Sequence, residues 1–263
     1  MSRINAKFQE LQSIKRKAFI PFIMASFPDF NFSKKLLNSL PELGADLIEI
    51  GIPFTDPMAD GKTIQEAGQT ALNGGFLMEH LYDLIKNFRT KDDKTPIILM
   101  GYFNPIHKIG AKEFVKKIKS LGVDGLIIVD LPPEEDDELC VHCLASEINF
   151  IRLLTPTSDD NRLKSLLKNT SGFLYYVSVA GVTGTKVPVK KSVAKDIIRI
   201  REKTNAPICV GFGIKNPEDA NEIAQLGDGI VVGSAIIEKI TTKDTEKKVF
   251  DFIKSLSNSV HLI

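Results

Sequence analysis

Eight short runs of apolar, largely β-branched residues recur along the chain, and segments with helical periodicity separate them. Each run is almost continuously hydrophobic, as expected of a parallel strand that is buried on both faces. Eight strand–helix units predict a closed (β/α)8 barrel, the TIM barrel, because the competing open doubly wound sheet usually has fewer strands. The predicted strands are Phe19–Met24, Leu47–Ile50, Ile97–Met100, Gly125–Val129, Phe150–Leu154, Phe173–Val177, Ile208–Gly211 and Gly229–Val232.

The segments between these strands complete the predicted barrel. Ser33 and Pro217 are typical of helix starts, and the segment before Phe19 predicts an extra N-terminal helix that covers the barrel bottom. The stretch Thr63–Arg89 is long enough for two helices, and no linker divides the chain, so residues 1–263 are predicted to form a single domain. The other predicted helical segments are Lys34–Leu43, Lys112–Leu121, Asn161–Leu167, Val193–Thr204 and Asp219–Leu226.

Charge and cysteine content narrow the class of protein. The net charge of +1 provides no global field to attract nucleic acid or acidic lipid. Three cysteines are too few for a disulfide framework and favour the cytoplasm, and we expect neither a signal peptide nor a membrane span. Cys140 and Cys143 have C-x-x-C spacing, but no second ligand pair accompanies them, so an incidental pair on a helix is favoured over zinc or redox chemistry.

Two candidate catalytic carboxylates belong to the stretch around the second strand. Glu49 stands in an apolar strand near its C-terminal end, where burial raises a carboxyl pKa towards the range of a general acid or base. The alternative is a structural Glu49 satisfied by a neighbouring Arg or by the backbone. Asp60 precedes Gly61 on the following loop, where a simple turn role is the alternative, but its place beside Glu49 favours function. Asp56 is either a turn residue or faces a partner.

Three glycine-bearing turns follow the sixth, seventh and eighth predicted strands: Ala180–Thr185, Gly211–Ile214 and Gly233-Ser234. Backbone N–H groups at such turns and at helix N-termini bind phosphate, and barrels often place this site after strands 7 and 8. Glycines that merely end strands are the alternative for any one turn. The recurrence on adjacent strands favours a phosphate site.

The sequence lacks the residues that other reactions of this fold require. No strand core contains a lysine for a Schiff base, and no strand end carries paired histidines, or a histidine with an aspartate, for a metal. The sequence therefore predicts acid/base cleavage of a phosphorylated substrate without metal or cofactor.

The chain resembles the tryptophan synthase alpha chain family over nearly its whole length. The most specific part is Glu-Ile-Gly-Ile-Pro-Phe-Thr-Asp-Pro-Met-Ala-Asp-Gly at 49–61, followed by Ile64-Gln65. Supporting matches are Met100–Pro105, Gly125–Pro132, Gly181–Gly184, Gly211–Ile214 and Gly233-Ser234. The resemblance implies a lyase that cleaves indole-3-glycerol phosphate to indole and glyceraldehyde 3-phosphate in tryptophan biosynthesis, by a reaction like a retro-aldol cleavage.

The same resemblance implies roles for individual residues. Glu49 would protonate indole C3 and take the proton of the glycerol hydroxyl, while Asp60 would stabilise positive charge at the indole N–H. The residues expected around the indole ring are Phe22, Met100, Ile127, Val129 and Phe212, and those expected to shape the pocket are Tyr175 and Thr183. The residues expected to hold the phosphate by backbone N–H groups are Gly184, Gly213, Gly233 and Ser234.

The resemblance also implies a partner. Family members work as an α2β2 complex in which indole passes to a beta chain that carries pyridoxal phosphate (PLP). The turns at Pro53–Asp56, Asn104–Pro105 and Asp130–Pro132 are expected to face that chain.

The sequence departs from the family pattern in four places. Thr55 replaces a usual serine, Val179 replaces a frequent arginine, and Met24–Pro28 replaces a usual Gly-Asp-Pro ending. Lys62 replaces a usual proline, and its cation is expected either to lower the pKa of Asp60 or to loosen the loop. None of the four removes a catalytic group.

Two alternatives remain open. Another phosphosugar barrel, such as an isomerase or indole-glycerol-phosphate synthase, would share the phosphate turns but not the stretch 49–61, and the synthase needs a lysine at a strand end. A barrel that cleaves weakly and mainly activates a beta chain is suggested by Lys62 and the altered first turn. The intact Glu49 and Asp60 oppose it.

Overall fold

The computed structural model describes residues 1–177, 186–242 and 244–263, apart from the side chains of 186–189. Its strands are short, parallel and close to the predicted runs. They are β1 Ala18–Met24, β2 Ile48–Gly51, β3 Ile97–Gly101, β4 Gly125–Ile128, β5 Asn149–Phe150, β6 Arg152–Leu154, β7 Leu174–Tyr176, β8 Ile208–Val210 and β9 Gly229–Val232.

Helices follow almost every strand, as a (β/α) repeat requires. They are α1 Arg3–Ser13, α2 Phe30–Ser39, α3 Lys62–Asn73, α4 Met78–Arg89, α5 Phe103–Ile109, α6 Ala111–Ser120, α7 Cys140–Ala145, α8 Asp160–Leu167, α9 Lys186–Arg201, α10 Pro217–Ala224, α11 Ser234–Thr241 and α12 Glu246–His261, with a 3₁₀ helix at Pro133–Glu138. None of the helices in the described ranges is long and apolar enough to cross a bilayer.

The strands form one parallel sheet in the order β5-β4-β3-β2-β1-β9-β8-β7-β6. Because β5 and β6 are consecutive pieces of the chain, separated only by Ile151, this order describes a ring and confirms the predicted TIM barrel. The amide of Ile151 still donates to Leu126 O at 2.9 Å. Beyond that point the predicted fifth strand leaves β4, and the buried Arg152 guanidinium donates to Leu131 O at 2.8 Å across the gap.

The barrel interior is largely apolar. All seven residues of β1 and all four of β9 are buried, as strands covered on both faces should be. Glycines admit the larger rings: a methyl group at Gly51 would lie only 2.5 Å from Cζ of Phe22. The ring of Phe22 therefore occupies space that any larger residue at position 51 would fill.

The predicted start of α2 was wrong, whereas that of α10 is confirmed. The helix α2 begins at Phe30, because the Asp29 carboxylate caps it by accepting the Phe32 N–H at 2.9 Å. Ser33 lies inside this helix and is buried, and its hydroxyl accepts the Ser26 N–H at 3.2 Å. Pro217 is the first residue of α10.

The extra N-terminal helix is confirmed and closes the N-terminal end of the barrel. Ile4 of α1 is fully buried, and its Cδ1 atom lies 2.9 Å from where a methyl group on Gly125, the first residue of β4, would stand. Arg3 pairs with Asp124 at 2.9 Å, immediately before the same strand. The opposite, C-terminal end of the barrel remains open to solvent at the cleft described below.

The segments that follow β2 and β3 were also predicted from the sequence. The stretch Thr63–Arg89 folds as two helices, α3 and α4, as predicted. Asn104 and Pro105 were predicted to form a turn, but they lie within α5, so that prediction was wrong. The helix starts directly after β3, with Tyr102 as its N-terminal cap, and the rim there is therefore helical rather than a loop.

Candidate active site

Glu49 is the second residue of β2, with Phe22 of β1 and Ile98 of β3 as its register neighbours. Its side chain is 0% exposed, and neither carboxyl oxygen has a hydrogen-bond partner among the described residues. The sequence left open a Glu49 satisfied by arginine or backbone, and the described part of the chain provides no such partner. A buried polar group of this kind needs a functional explanation.

Burial is the main reason that the pKa of Glu49 rises from 4.5 to about 8, and the charge of Asp60 raises it further. At neutral pH the side chain therefore holds its proton and can donate it.

Asp60 lies on the loop between β2 and α3, and burial raises its pKa from 3.8 to about 6, while a hydrogen bond from the Tyr102 hydroxyl acts in the opposite direction. Near neutral pH Asp60 is therefore mainly ionised while Glu49 is mainly protonated. Carboxyl pairs whose pKa values are pushed apart in this way supply one proton donor and one negative charge.

Lys62, the departure next to this site, turns away from it. Its side chain is 88% exposed, and its ammonium lies 3.7 Å from the Glu66 carboxylate along α3. The net pKa shift of Asp60 is upward. Burial raises this pKa and the Tyr102 hydroxyl lowers it, so the expected lowering by Lys62 is not seen, while the other expectation, a looser loop, stays a prediction.

Both carboxylates line one cleft of about 150 Å3 at the C-terminal end of the barrel. Most residues that the sequence assigned to substrate or phosphate lie there as well. These are Phe22, Met100, Tyr175, Phe212, Gly213, Gly233 and Ser234.

Two assigned residues, Ile127 and Val129, are not part of this lining, and two others are not described. Ile127 is fully buried beside Met100 in the sheet register, and Val129 lies half-buried just beyond β4. Thr183 and Gly184 lie outside the described residues, as does the departure at Val179.

The cleft also contains residues to which the sequence reasoning gave no role. Ile64 comes from the first turn of α3, and Val231 and Val232 end β9. Ile64 follows the most specific motif, and the two valines occupy a strand end. Their positions in the sequence were therefore the only features that could have predicted a place in the cleft. Tyr102 was also missed, although it lies in the recognised Met100–Pro105 segment.

Glycines and a helix start form part of the cleft wall. Gly213 has a φ of 63°, a conformation that favours glycine, and the Gly233 cap of α11 has no side-chain hydrogen bond. The N-terminal N–H groups of α11 are therefore free of side-chain caps at the edge of the cleft, an arrangement suited to a phosphate.

A larger cavity, of about 710 Å3, lies between α1 and the N-terminal ends of the strands. Its arginines are paired, Arg16 with Asp46 and Arg201 with Asp228. Active sites of this fold lie at the C-terminal end, and there the smaller cleft holds the unpartnered Glu49. Chemistry rather than size therefore identifies the candidate site.

The two cysteines with C-x-x-C spacing lie elsewhere, buried in α7. Burial raises the pKa of the Cys140 thiol to about 12 and that of Cys143 further, so both stay protonated at neutral pH. Among the described residues, no cluster of three or more His, Cys, Asp or Glu side chains could hold a metal ion.

The fold and the cleft together define a (β/α)8-barrel enzyme whose working groups are two carboxylates with separated pKa values. Comparison with known proteins identifies which one. The family model of the tryptophan synthase alpha chain matches residues 8–260, and the chain belongs to that family. Its members cleave indole-3-glycerol phosphate in tryptophan biosynthesis, and this chain is an alpha-type carbon–carbon lyase.

Solved structures agree with this assignment. Tryptophan synthase subunit alpha from Legionella pneumophila is 34% identical, with complete coverage of both chains and a TM-score of 0.92. A protein from Aquifex aeolicus is 35% identical over 99% of this chain and 100% of its own, with a TM-score of 0.90. Tryptophan synthase from Mycobacterium tuberculosis is 27% identical over 99% of each chain, with a TM-score of 0.90.

Proposed function

We propose that residues 1–263 form one catalytic domain in which Glu49 moves both protons of the cleavage and Asp60 holds the charge. The observation that carries this proposal is the pair of pKa values, about 8 for Glu49 and about 6 for Asp60. At neutral pH the pair holds one proton and one negative charge, which are the two things the reaction needs at its start.

The first step is proton transfer from Glu49 to C3 of the indole ring. Protonation makes the ring nitrogen positive, and the ionised Asp60 accepts its N–H hydrogen bond and stabilises that charge. A preorganised charge in a water-poor cleft is effective because it needs no reorganisation during the reaction.

The second step is cleavage of the bond between C3 and the glycerol chain. The electron pair of this bond returns to the ring, which becomes neutral indole, and the adjacent hydroxyl becomes the aldehyde of glyceraldehyde 3-phosphate. Glu49, ionised by the first step, takes the hydroxyl proton and returns to its starting state. No proton or electron is gained or lost overall, so the chemistry needs no cofactor in this chain.

Substrate binding is divided between the two walls of the cleft. Phe22, Met100, Tyr175 and Phe212 supply the apolar and aromatic surface for indole, and Ile127, Val129 and Thr183 are assigned to the indole pocket by family resemblance alone. Gly213, Gly233 and Ser234 supply backbone N–H groups for the phosphate, and Gly184 joins them by the same resemblance.

We further propose that the chain is cytoplasmic and works in an α2β2 complex with a tryptophan synthase beta chain that carries PLP. The solved tryptophan synthase of Mycobacterium tuberculosis supports a partner of this kind. The rim segments expected to face it leave Asp56, Asn104, Asp130 and Pro132 exposed.

The decisive test is indole release by Glu49→Gln. General acid/base groups contribute about 10²–10⁴ in rate, so we expect a loss of at least 100-fold, with and without a beta chain, while the circular dichroism spectrum is unchanged. Glu66→Gln is the control, because Glu66 is exposed on α3, and it should retain wild-type turnover.

Turnover of Glu49→Gln within a few-fold of wild type would refute the role of Glu49. A wild-type chain that stimulates its beta chain but releases no indole would instead be an activating subunit.

A further inference from the structure

Tyr102 is the residue that connects the loop carrying Asp60 to the rest of the barrel rim. It follows β3 directly and is 4% exposed. Its ring stacks on Phe54, at the start of the β2–α3 loop, with ring centres 5.1 Å apart and 28° between the planes. One side chain of the third strand thus packs against the loop that follows the second.

The Tyr102 hydroxyl is hydrogen-bonded to that loop next to Asp60. It accepts the Ala59 N–H at 3.0 Å, and from this position it acts as a hydrogen-bond donor that lowers the pKa of the neighbouring Asp60 carboxyl. A phenol has one proton to give. Burial raises the pKa of Tyr102 to about 12, and the Asp60 charge adds to this, so the donor proton is retained throughout the working pH range.

The backbone next to Tyr102 is anchored on the opposite side. The Phe103 N–H donates to the Asp130 carboxylate at 2.8 Å, and Asp130 follows β4. Tyr102 therefore lies between two fixed points, the Asp60 loop and the β4 rim. The Tyr102 hydroxyl is thus placed beside Asp60 by contacts on both of its sides.

We propose that Tyr102 is a positioning residue, whose hydroxyl holds the Asp60 carboxylate in place and favours its ionised form at the cleft. The proposal rests on the charge-stabilising role given to Asp60 above. It predicts a specific defect for the loss of one oxygen atom, because Tyr102→Phe keeps the ring on Phe54 while removing the bond to Asp60.

The test is the pH dependence of indole release by Tyr102→Phe between pH 5 and pH 9. Without the donor the pKa of Asp60 rises above about 6, so the acid limb should move to higher pH by about half to one unit, the size that a typical net hydrogen-bond contribution supports. At pH 6 kcat should fall about two- to five-fold, because half of Asp60 is already protonated in the wild type at that pH. At pH 8, where Asp60 is ionised in both proteins, kcat should return to within about two-fold of wild type.

Tyr176→Phe is the matched control. The Tyr176 hydroxyl also donates to an aspartate, Asp196, at 2.6 Å, but that carboxylate is not among the residues lining the cleft. Its loss should lower stability and leave the acid limb unmoved. An equal shift in both variants, or an unmoved limb in Tyr102→Phe, would overturn the proposal.

The same substitution in an Asp60→Asn background separates this proposal from the one on which it rests. Since asparagine does not ionise, Tyr102→Phe should produce no further shift of the acid limb there. A shift that persists in this background would show that Tyr102 does not act through Asp60. An Asp60→Asn variant with wild-type turnover would overturn both proposals. A defective Asp60→Asn beside a normal Tyr102→Phe would overturn only the positioning role.

Discussion

At the scale of single residues, Glu49 is a feature of the barrel that costs stability. Its carboxyl group lies among apolar side chains with no hydrogen-bond partner in the described part of the chain. An unpaired buried polar group destabilises a fold by about 1–3 kcal/mol. The same isolation raises the pKa of Glu49 and makes it a proton donor at neutral pH.

Replacing Glu49 by glutamine is therefore expected to stabilise the protein at alkaline pH. Glutamate titrates near 4.5 when unfolded and near 8 here. Between these values the folded protein keeps a proton that the unfolded chain has released, so the free energy of unfolding of the wild type falls as pH rises from about 4.5 to about 8. At about 1.4 kcal/mol per pKa unit, the upper bound of this loss is about 5 kcal/mol.

Urea unfolding at pH 5 and at pH 9 measures this effect. Glu49→Gln should resemble wild type at pH 5 and be more stable by a few kcal/mol at pH 9. A difference that does not change with pH would show that Glu49 titrates normally in the folded state.

A catalytic role was predictable from the sequence where an ionisable residue stands in an apolar strand. Glu49 is such a residue, and its place in the apolar strand identified it as a candidate catalytic group without a structure. Tyr102 gave no comparable signal, because an aromatic residue after a strand is ordinary core material. Its bond to Asp60 depends on two loops from different strands meeting in space.

At the scale of elements, the strand ends set the width of the cleft. Gly211 follows β8 beside Tyr175 of β7, and a methyl group at position 211 would lie 2.4 Å from Cε2 and 2.5 Å from the hydroxyl oxygen of that tyrosine. The ring therefore has its present place in the cleft only because residue 211 has no side chain.

Gly211→Ala is expected to displace the Tyr175 ring and lower kcat/KM for indole release by at least about ten-fold, since misplacement of about 1 Å near a reacting group has effects of that order or larger. Gly74→Ala is the control. Its methyl group would lie 3.4 Å from its nearest neighbours, at an ordinary φ of −75°, and activity should stay within two-fold of wild type. Unchanged steady-state kinetics in Gly211→Ala would mean that the ring position does not matter.

Element types were predictable from periodicity, whereas the details at their ends were not. The sequence predicted a continuous fifth strand, but the chain leaves β4 at Ile151, where the buried Arg152 bonds to Leu131 and Asp136. The helix α2 starts at Phe30 because the Asp29 side chain caps it, whereas the Ser33 hydroxyl bonds to the Ser26 N–H instead. Tertiary contacts decide where such strands and helices start and end, and these contacts cannot be read from the local sequence pattern.

At the scale of the whole molecule, the two ends of the barrel have different tasks. The N-terminal end is closed by α1 and tied by the ion pairs of Asp124 with Arg3 and Arg89. The C-terminal end carries the cleft, and its rim exposes acidic residues on successive loops. The closed ring and the family were predictable because they depend on the whole pattern of strands and motifs rather than on any single boundary.

Charge reversal at the rim tests the proposed partner. Asp56 is exposed on the β2–α3 loop, and Asp56→Lys is expected to weaken binding to a beta chain at least ten-fold and to change its salt dependence, as charges at the edge of an interface do. Asp83→Lys, at an exposed position of α4, is the matched control and should bind normally. Isothermal titration at two salt concentrations would measure both, and equal affinities would place the interface elsewhere.

The buried carboxyl group of Glu49, which has no hydrogen-bond partner among the described residues, also distinguishes an active lyase from a purely activating subunit. A neutral side chain at position 49 would remove the cost of burying an ionisable group. A barrel that only activated a partner would gain stability from that substitution without losing its task, whereas a barrel that cleaves its substrate would lose its proton donor. The glutamate is therefore a stability cost that only catalysis explains.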